Sequence, residues 1–196
     1  MVTFDISNYT MELKEAITIF GKTLAELASI TRPTPRPDEE PMPETTVFTD
    51  GACDNNSKEN ASASSGVWYD DDNPRNQSIW VPLQEQSNQT GEVFAILLAV
   101  RSHPPNKDVT IVSDSKYTID SLTRNTRRWE DRGWIDIQHG ELFQSIVAWM
   151  RWRNSVTRFR WVKGHSGTKG NKEADKLVGQ GAKKPLPDTG GRGGVT

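Results

Sequence analysis

The order of the extended and helical segments is the feature of this sequence that most restricts its fold. Five short runs are rich in β-branched and aromatic residues and are bounded by turn-forming residues, which is the pattern of β-strands. They are TTVFTDGA (45–52), SGVWYD (65–70), SIWVPL (78–83), DVTIVSD (108–114) and VTRFRWV (156–162). The first three follow one another with only polar, turn-rich stretches between them, so they predict a meander.

Helical segments separate the remaining runs. The apolar segment VFAILLAVRS (93–102) predicts a helix that ends before Pro104 and Pro105, and further helices are predicted at 115–123, 127–133, 139–153 and 171–184. A meander followed by alternating helix and strand predicts an α/β fold. We expect a five-stranded mixed sheet, with a three-strand antiparallel meander plus two parallel strands, flanked by helices. About 140 residues are enough for such a domain to bury its own core.

The chain on either side of this domain has a different composition. Residues 9–30 fit an amphipathic helix, which is either a docking element or the remnant of a preceding domain. Residues 31–45 contain five prolines and four acidic residues and predict an extended linker. We therefore divide the chain into an N-terminal helix with a proline-rich linker (1–44), a domain (45–184) and a disordered tail (185–196).

Hydropathy and cysteine content restrict where the protein resides. No stretch approaches the roughly 20 apolar residues that a membrane span needs, and the N-terminus lacks the basic and apolar regions of a secretory signal. The single cysteine, Cys53, has no partner for an internal disulfide. We expect an intracellular protein, in the cytoplasm or the nucleus, with no membrane partner and no obligate protein partner.

The two halves of the chain carry opposite charge, although the net charge is only -2. Residues 1–100 hold 6 Lys and Arg against 16 Asp and Glu, whereas residues 101–184 hold 17 against 9. A basic surface in the second half would suit a polyanion such as nucleic acid. A solvated, arginine-rich helical surface is the alternative.

Four acidic residues stand where predicted elements begin or end. Asp50 lies near the end of the first strand, Asp114 at the end of the fourth, Glu92 at the opening of a helix, and Asp175 in the first turn or so of the last helix. Each alone also fits a structural role, as a turn residue, a helix cap or a partner of the helix dipole. Adjacent strands would bring Asp50 and Asp114 to one edge of the sheet, where α/β folds place their sites.

A convergence of all four carboxylates would require a cation, because like charges held close together repel. All-oxygen ligands suit hard cations such as Mg²⁺ or Mn²⁺. The sequence therefore predicts a divalent metal site.

Five motifs, in this order, carry a resemblance to a known family. They are TDGAC (49–53), SNQTGE (87–92), SDSKY (113–117), WVKGHSG (161–167) and GNKEAD (170–175). Together they resemble the type 1 ribonuclease H domain, and they look most like the copies carried by fungal retroelements. The resemblance covers roughly residues 45–184.

This resemblance implies an activity and a cofactor. The family hydrolyses the RNA strand of RNA–DNA hybrids, leaving a 3′-hydroxyl and a 5′-phosphate, with two Mg²⁺ ions about 4 Å apart. By motif match, Asp50 would bridge both ions, Asp114 would lie on the nucleophile side, and Glu92 and Asp175 would complete the coordination. Glu92 would also lie near the ribose 2′-hydroxyl beside the scissile phosphate. His165 would assist product release or protonate the leaving group, and an exposed loop histidine is the alternative.

The resemblance also implies contacts with both strands of the hybrid. Asn56 and Gln89 match amide positions that touch the minor groove, and Ser87 stands where a threonine usually completes a pocket for a DNA phosphate. The segment 122–134 matches a basic protrusion that grips the DNA strand, with Trp129 against a deoxyribose and with phosphate contacts from Arg124, Arg127, Arg128 and Arg132. Turn chemistry is the alternative for the amides. For the protrusion, the alternative is a solvated helix with Trp129 and Trp134 buried as core anchors.

Some positions depart from the family pattern. Thr90 and Gly91 replace the usual Arg-Ala pair before the helix glutamate, which predicts looser backbone support there. Glu130 and Asp131 dilute the positive charge of the protrusion, and His139 is the nearest candidate for an asparagine that helps to bind a DNA phosphate. A weaker grip on the DNA strand is expected.

We expect His103 and His139 at the surface, and we expect Trp134, Trp149 and Trp161 to pack rather than to serve as stacking platforms.

The leading hypothesis is an active, hybrid-specific, Mg²⁺-dependent endoribonuclease derived from or belonging to a retroelement. A module of the same fold that binds without cutting is a second hypothesis, and the intact acidic set and His165 argue against it. A third is another nuclease of the superfamily, such as an integrase or a junction resolvase. The GHSG and GNKEAD motifs and the basic protrusion favour ribonuclease H over this third class.

Overall fold

The computed structural model describes residues 44–164 and 167–184, which form one sheet with helices on both of its faces. The elements in chain order are β1 (Thr45–Asp54), β2 (Ser62–Trp68), β3 (Gln77–Trp80), α1 (Asn88–Ser102), β4 (Val109–Ser113), α2 (Lys116–Asp120), α3 (Thr126–Asp131), α4 (Gly140–Trp152), β5 (Thr157–Trp161) and α5 (Lys169–Gly181). A π-helical turn, Ser121–Asn125, joins α2 to α3. The predicted N-terminal helix, the linker up to residue 43 and the tail lie outside the described residues.

The sheet has the predicted architecture. Its strand order is β3-β2-β1-β4-β5. Strands β1, β2 and β3 pair antiparallel as a meander, and β4 pairs parallel with both β1 and β5. The predicted α/β fold with a five-stranded mixed sheet is therefore confirmed.

Alternate residues of β1 face different helices. Val47 is fully buried in the core with residues of α1 and α4, such as Phe94 and Phe143. On the opposite face, the ring of Phe48 meets α5 so closely that a Cβ at Gly170 would lie 2.2 Å from it. The sheet is thus covered on both sides, and no helix among residues 44–164 and 167–184 is long and apolar enough to cross a membrane.

Three elements begin two or more residues earlier than the hydrophobic pattern predicts. Helix α1 begins at Asn88 rather than Val93, because the hydroxyl of Ser87 caps it by accepting from the Thr90 amide at 3.0 Å. Helix α5 begins at Lys169 rather than at residue 171, and β2 begins at Ser62 rather than at residue 65. The missed residues are polar or small, so they carry no apolar periodicity. As a result, Glu92 and Asp175 lie in the second turns of their helices and not at the helix openings.

The expectation that His103 lies at the surface is wrong. His103 is only 2% exposed, and its ring stacks on Tyr69 with centroids 6.0 Å apart. It lies at the end of α1, where the fully buried guanidinium of Arg153 donates to the carbonyls of Val100 and His103 at 3.3 and 2.9 Å. A cation at a helix C-terminus satisfies carbonyls that have no partner within the helix.

The three tryptophans expected to pack have different outcomes. Trp134 and Trp149 pack against the core as predicted. Trp161 does not, because it is 52% exposed at the end of the edge strand β5.

Candidate active site

The first two carboxylates are brought together by parallel pairing of β1 with β4. Phe48 lies opposite Val112 in this pairing, so Asp50 and Asp114, each two residues further along, reach the same edge of the sheet. The backbone amide of Gly51 donates to Asp50 Oδ1 at 2.9 Å, which orients this carboxylate. The structure therefore confirms the predicted convergence of these two residues.

Glu92 joins them because α1 crosses β1 at two glycines. A Cβ at Gly51 would lie 2.2 Å from the backbone nitrogen of Glu92, and a Cβ at Gly91 would lie 2.8 Å from the carbonyl oxygen of Ser64. No side chain other than hydrogen fits between the helix and the strands at either position. The hydroxyl of Ser65 also donates to the Gly91 carbonyl at 2.7 Å. The backbone before Glu92 is therefore firmly held, contrary to the expected loosening.

The three carboxylates form one compact cluster. One oxygen each of Asp50, Glu92 and Asp114 lie within 4.8 Å of one another. In the described part of the chain, Glu92 Oε2 and Asp114 Oδ1 are buried and accept no hydrogen bond. Buried acceptors normally have partners. Oxygens that converge without donors are a fitting ligand set for a hard divalent cation.

Burial and mutual repulsion make the cluster costly to ionise without a cation. Burial, followed by the nearby Asp114 carboxylate, raises the pKa of Asp50 from 3.8 to about 7, although the Gly51 hydrogen bond opposes this change. The pKa of Glu92 is raised well above its ordinary value by burial and then by Asp50 and Asp114. A divalent cation would remove the repulsion and favour the ionised forms of these carboxylates.

Asp175 lies next to this cluster but outside its tight group. It is exposed on α5, and its charge is a smaller contribution to the raised pKa of Asp50. The helix is anchored beside β2, since a Cβ at Gly66 would lie 2.3 Å from the Ala174 carbonyl oxygen. Asp175 therefore borders the cluster from the opposite face of the sheet to α1.

The loop after β5 also reaches the cluster. A Cβ at Gly164 would lie 2.7 Å from Asp114 Oδ2, so the backbone passes directly over this carboxylate. His165, the predicted proton-transfer residue, follows immediately and lies outside the described residues.

The predicted minor-groove residues gather at the start of α1. Gln89 is exposed in its first turn, and Asn56 Oδ1 accepts from the Asn88 amide at 3.3 Å. Asn88 was not predicted as part of this surface, but its Oδ1 accepts from the Cys53 amide at 2.8 Å and so ties the end of β1 to α1. The hydroxyl of Ser87 is occupied in capping the helix.

The predicted basic protrusion is a helical segment with arginines on its surface. Four arginines are exposed there: Arg124, Arg127, Arg128 and Arg132. Arg124 pairs with Asp120 at 3.3 Å, whereas Glu130 pairs with Arg151 of α4 and not with an arginine of the protrusion. The ring of Trp129 packs against Trp134 and Phe143, with centroids 5.9 and 5.3 Å away. Trp129 is only partly buried, so part of its ring stays accessible.

His139 is buried and both of its ring nitrogens have partners, so the expectation of a surface histidine is wrong. The residue is 7% exposed at the N-terminus of α4. Its Nε2 lies 3.1 Å from Glu85 Oε1 and 3.3 Å from Thr90 Oγ1, and its Nδ1 lies 3.0 Å from the hydroxyl of Tyr117. Because both ring nitrogens have partners, His139 is not free to donate to a phosphate, and Glu85 adds a negative charge beside it.

Comparison with known proteins assigns the family. The ribonuclease H family model matches residues 42–183. The chain is 36% identical to ribonuclease H of Schizosaccharomyces pombe, over 69% of this chain and 52% of that protein. It is 33% identical to human ribonuclease H1, over 70% and 50%, and 30% identical to ribonuclease H of Alcanivorax borkumensis, over 69% and 89%. The chain thus spans about half the length of the first two relatives and most of the bacterial one.

A solved structure agrees with this assignment. It is LC9-RNase H1, described as a type 1 RNase H with the type 2 active-site motif, and it matches with a TM-score of 0.58 and 26% identity over 74% of each chain. The chain belongs to the type 1 ribonuclease H family.

Proposed function

We propose that this chain is a metal-dependent endoribonuclease that hydrolyses the RNA strand of RNA–DNA hybrids and leaves 3′-hydroxyl and 5′-phosphate ends. The observation that carries the proposal is the cluster of Asp50, Glu92 and Asp114, with oxygens within 4.8 Å of one another and two buried oxygens that accept no hydrogen bond from residues 44–164 or 167–184. A purely structural cluster of this kind would have hydrogen-bond donors or a basic partner.

The cluster would hold two Mg²⁺ ions, or Mn²⁺ in their place. By motif match, Asp50, Glu92, Asp114 and Asp175 would hold the ions, with Asp50 shared between them, Asp114 serving the side of the attacking water, and Glu92 and Asp175 completing the ligand set. When bound, the ions supply positive charge that polarises the scissile phosphate and stabilises the attacking and leaving oxygens. Glu92 would accept from the ribose 2′-hydroxyl, which selects RNA over DNA at this position. His165 would deliver a proton to the leaving 3′-oxygen or assist product release.

Contacts away from the carboxylates would orient the hybrid. Asn56, Ser87 and Gln89 gather at the start of α1, where Asn56 and Gln89 would read the minor groove by shape and hydroxyl pattern. Arg124, Arg127, Arg128 and Arg132 would contact DNA phosphates, with the accessible edge of Trp129 against a deoxyribose. Because Ser87 and His139 already have partners and Glu85 is negative, a DNA phosphate would be held weakly beside them.

An origin in a retroelement is a separate proposal. The motif resemblance supports it, whereas the relatives named above are ribonucleases H of cellular organisms. A retroelement would use this activity to remove template RNA after reverse transcription.

A cleavage assay on a labelled RNA–DNA hybrid with Mg²⁺ tests the function. Cutting of the hybrid alone, abolished by Asp50→Asn, is the expected result, with duplex RNA and duplex DNA as controls. Binding of the hybrid without cutting would favour a non-catalytic module. Cutting of branched or duplex DNA instead would favour another nuclease of the superfamily.

A further inference from the structure

Trp161 is a large exposed apolar side chain beside the carboxylate cluster. It is 52% exposed, ends the edge strand β5, and lies opposite Ser113, the residue before Asp114. The other large exposed hydrophobic residues in the described parts of the chain are Ile135 and Val156. Ile135 follows the protrusion helix and Val156 immediately precedes β5, at the end away from Trp161, so Trp161 alone of the three adjoins the cluster.

A hydrogen bond fixes the indole at this position. Its Nε1 donates to the backbone carbonyl of Asp114 at 3.0 Å. This bond uses the only polar atom of the side chain, so the surface that remains accessible is the hydrocarbon face of the ring. Three residues later, the backbone at Gly164 passes over the Asp114 carboxylate. The segment that carries Trp161 therefore contacts Asp114 at two points, which fixes the position of the indole relative to the carboxylate.

A basic side chain lies two residues further along. Lys163 is exposed and forms no ion pair with any residue of 44–164 or 167–184. By contrast, Arg158, near the opposite end of β5, pairs with both Glu44 and Asp108. An exposed aromatic face next to an unpaired cation is the combination that binds a nucleic-acid strand, through stacking on a base or sugar and contact with a phosphate.

We propose that Trp161 and Lys163 bind the RNA strand at a nucleotide adjacent to the scissile phosphate, with the indole face against its base or ribose. This inference rests on the proposed function, because the strand that reaches the carboxylates is the strand that is cut. Since Trp161 adjoins Asp114, a nucleotide in contact with it belongs to that same strand. The site would position the RNA and would not take part in the chemical step.

Binding measurements in the Asp50→Asn background test the contact without cleavage. Trp161→Ala is expected to weaken binding of a short RNA–DNA hybrid by about tenfold, the usual scale of one stacked base. Trp161→Phe retains an aromatic face and is expected to recover most of this loss. Val156→Ala removes an exposed apolar side chain immediately before the same strand, away from the cluster, and is expected to leave binding unchanged. Circular dichroism checks that each variant is folded.

Hybrids with one abasic nucleotide locate the contact. Removing the stacked base should weaken binding to the Asp50→Asn protein but add little to the loss already caused by Trp161→Ala. Such coupling at an RNA position next to the cleaved bond supports the proposal. Coupling at a DNA position, or equal binding by Trp161→Ala and its parent, would overturn it. Failure of the unmodified chain to cut any hybrid would instead overturn the proposed function, and this inference with it.

Discussion

The environment of Asp50 in the folded chain disfavours the ionised form of its carboxyl group. Burial and the neighbouring Asp114 raise its pKa to about 7, so the folded chain binds a proton that the unfolded chain has already released between pH 4 and 7. A carboxyl group with a raised folded-state pKa contributes stability at low pH that is lost as pH rises through that interval. At neutral pH and above, Asp50 therefore lowers the stability of the metal-free protein.

Asp50→Asn is expected to stabilise the metal-free chain while abolishing cleavage. At pH 8 with a chelator, the free energy of unfolding in urea should rise by about 2 kcal/mol, less than the full pKa change implies because the carboxyl is partly exposed. The gain should vanish near pH 4. Asp54→Asn, at the exposed end of the same strand, is the control and should change little. A loss of stability in Asp50→Asn at pH 8 would contradict this account.

His103 should make the protein sensitive to acid, because its pKa is lowered in the folded chain whereas that of Asp50 is raised. Burial, assisted by the Arg153 guanidinium, lowers the pKa of His103 from 6.5 to about 4, so the unfolded chain binds a proton that the folded chain does not. Stability is therefore complete above pH 6.5 and is lost as pH falls towards 4. Between pH 7.5 and 4.5 this group should cost about 2 kcal/mol.

The contribution of His103 is measured as a difference between two proteins. Urea unfolding of wild type and His103→Phe at both pH values removes the effects of other groups, because these are shared. The wild type should lose more stability on acidification than the variant. Parallel losses in the two proteins would show that His103 titrates normally.

Glu85 is expected to weaken the grip of the site on the DNA strand. Its carboxylate accepts from His139 and lies two residues before Ser87, at the place proposed for a DNA phosphate. Glu85→Gln keeps an acceptor for the imidazole but removes the charge, so KM for the hybrid should fall by about threefold at low salt. Glu44→Gln, at the far end of β1, is the matched control. An unchanged KM in both variants would place the DNA phosphate elsewhere.

At the scale of elements, the close crossing of α1 over β1 decides whether the site can form. Gly91→Ala would put a Cβ 2.8 Å from the Ser64 carbonyl and 3.1 Å from the Ala52 amide nitrogen, both backbone atoms that cannot rotate away. We expect a loss of about 2 kcal/mol and a lower kcat, because α1 carries Glu92. Gly179→Ala on α5 meets nothing within 4 Å and should stabilise by about 0.5 kcal/mol. Thermal unfolding and cleavage rates of the two variants check this contrast.

The sequence predicts the elements whose hydrophobic pattern is continuous and misses those that depend on neighbours. The strands around Val47 and Ile111 follow from β-branched runs, and the edge shared by Asp50 and Asp114 follows from strand order. The first turn of α1 and the start of β2 consist of polar or small residues, so neither has an apolar pattern. Ser87 caps the first turn of α1, and neighbouring elements cover the start of β2. No local pattern indicates that His103 and His139 are buried, since their partners Arg153 and Glu85 are distant in sequence.

The exposure of Trp161 illustrates the same limit. A tryptophan in a strand is usually packed, and its sequence context does not show that β5 lies at the sheet edge. Only the strand order places it there, with its face open beside Asp114. Functional surfaces of this kind therefore emerge from topology, whereas the carboxylates themselves were predictable from motifs.

At the scale of the whole molecule, opposite charges lie in separate regions. The acidic cluster is set into the sheet edge, while the exposed arginines of the protrusion extend from α3 and its flanking turns. A polyanion would be attracted mainly by the protrusion, because the cluster becomes favourable for a phosphate only after cations bind. Affinity and cleavage should therefore respond to different variants.

The salt dependence of hybrid binding should report the protrusion. Each phosphate contact releases counterions and contributes about 0.9 to the slope of log K against log salt concentration. Changing both Arg127 and Arg128 to Gln should therefore reduce this slope by about 2, measured by fluorescence anisotropy in the Asp50→Asn background. Arg158→Gln removes a cation that is already paired with Glu44 and Asp108 and should leave the slope unchanged. If the double variant kept the wild-type slope, the DNA strand would have to bind on another surface, and the functional assignment of the protrusion would fail while that of the carboxylates would stand.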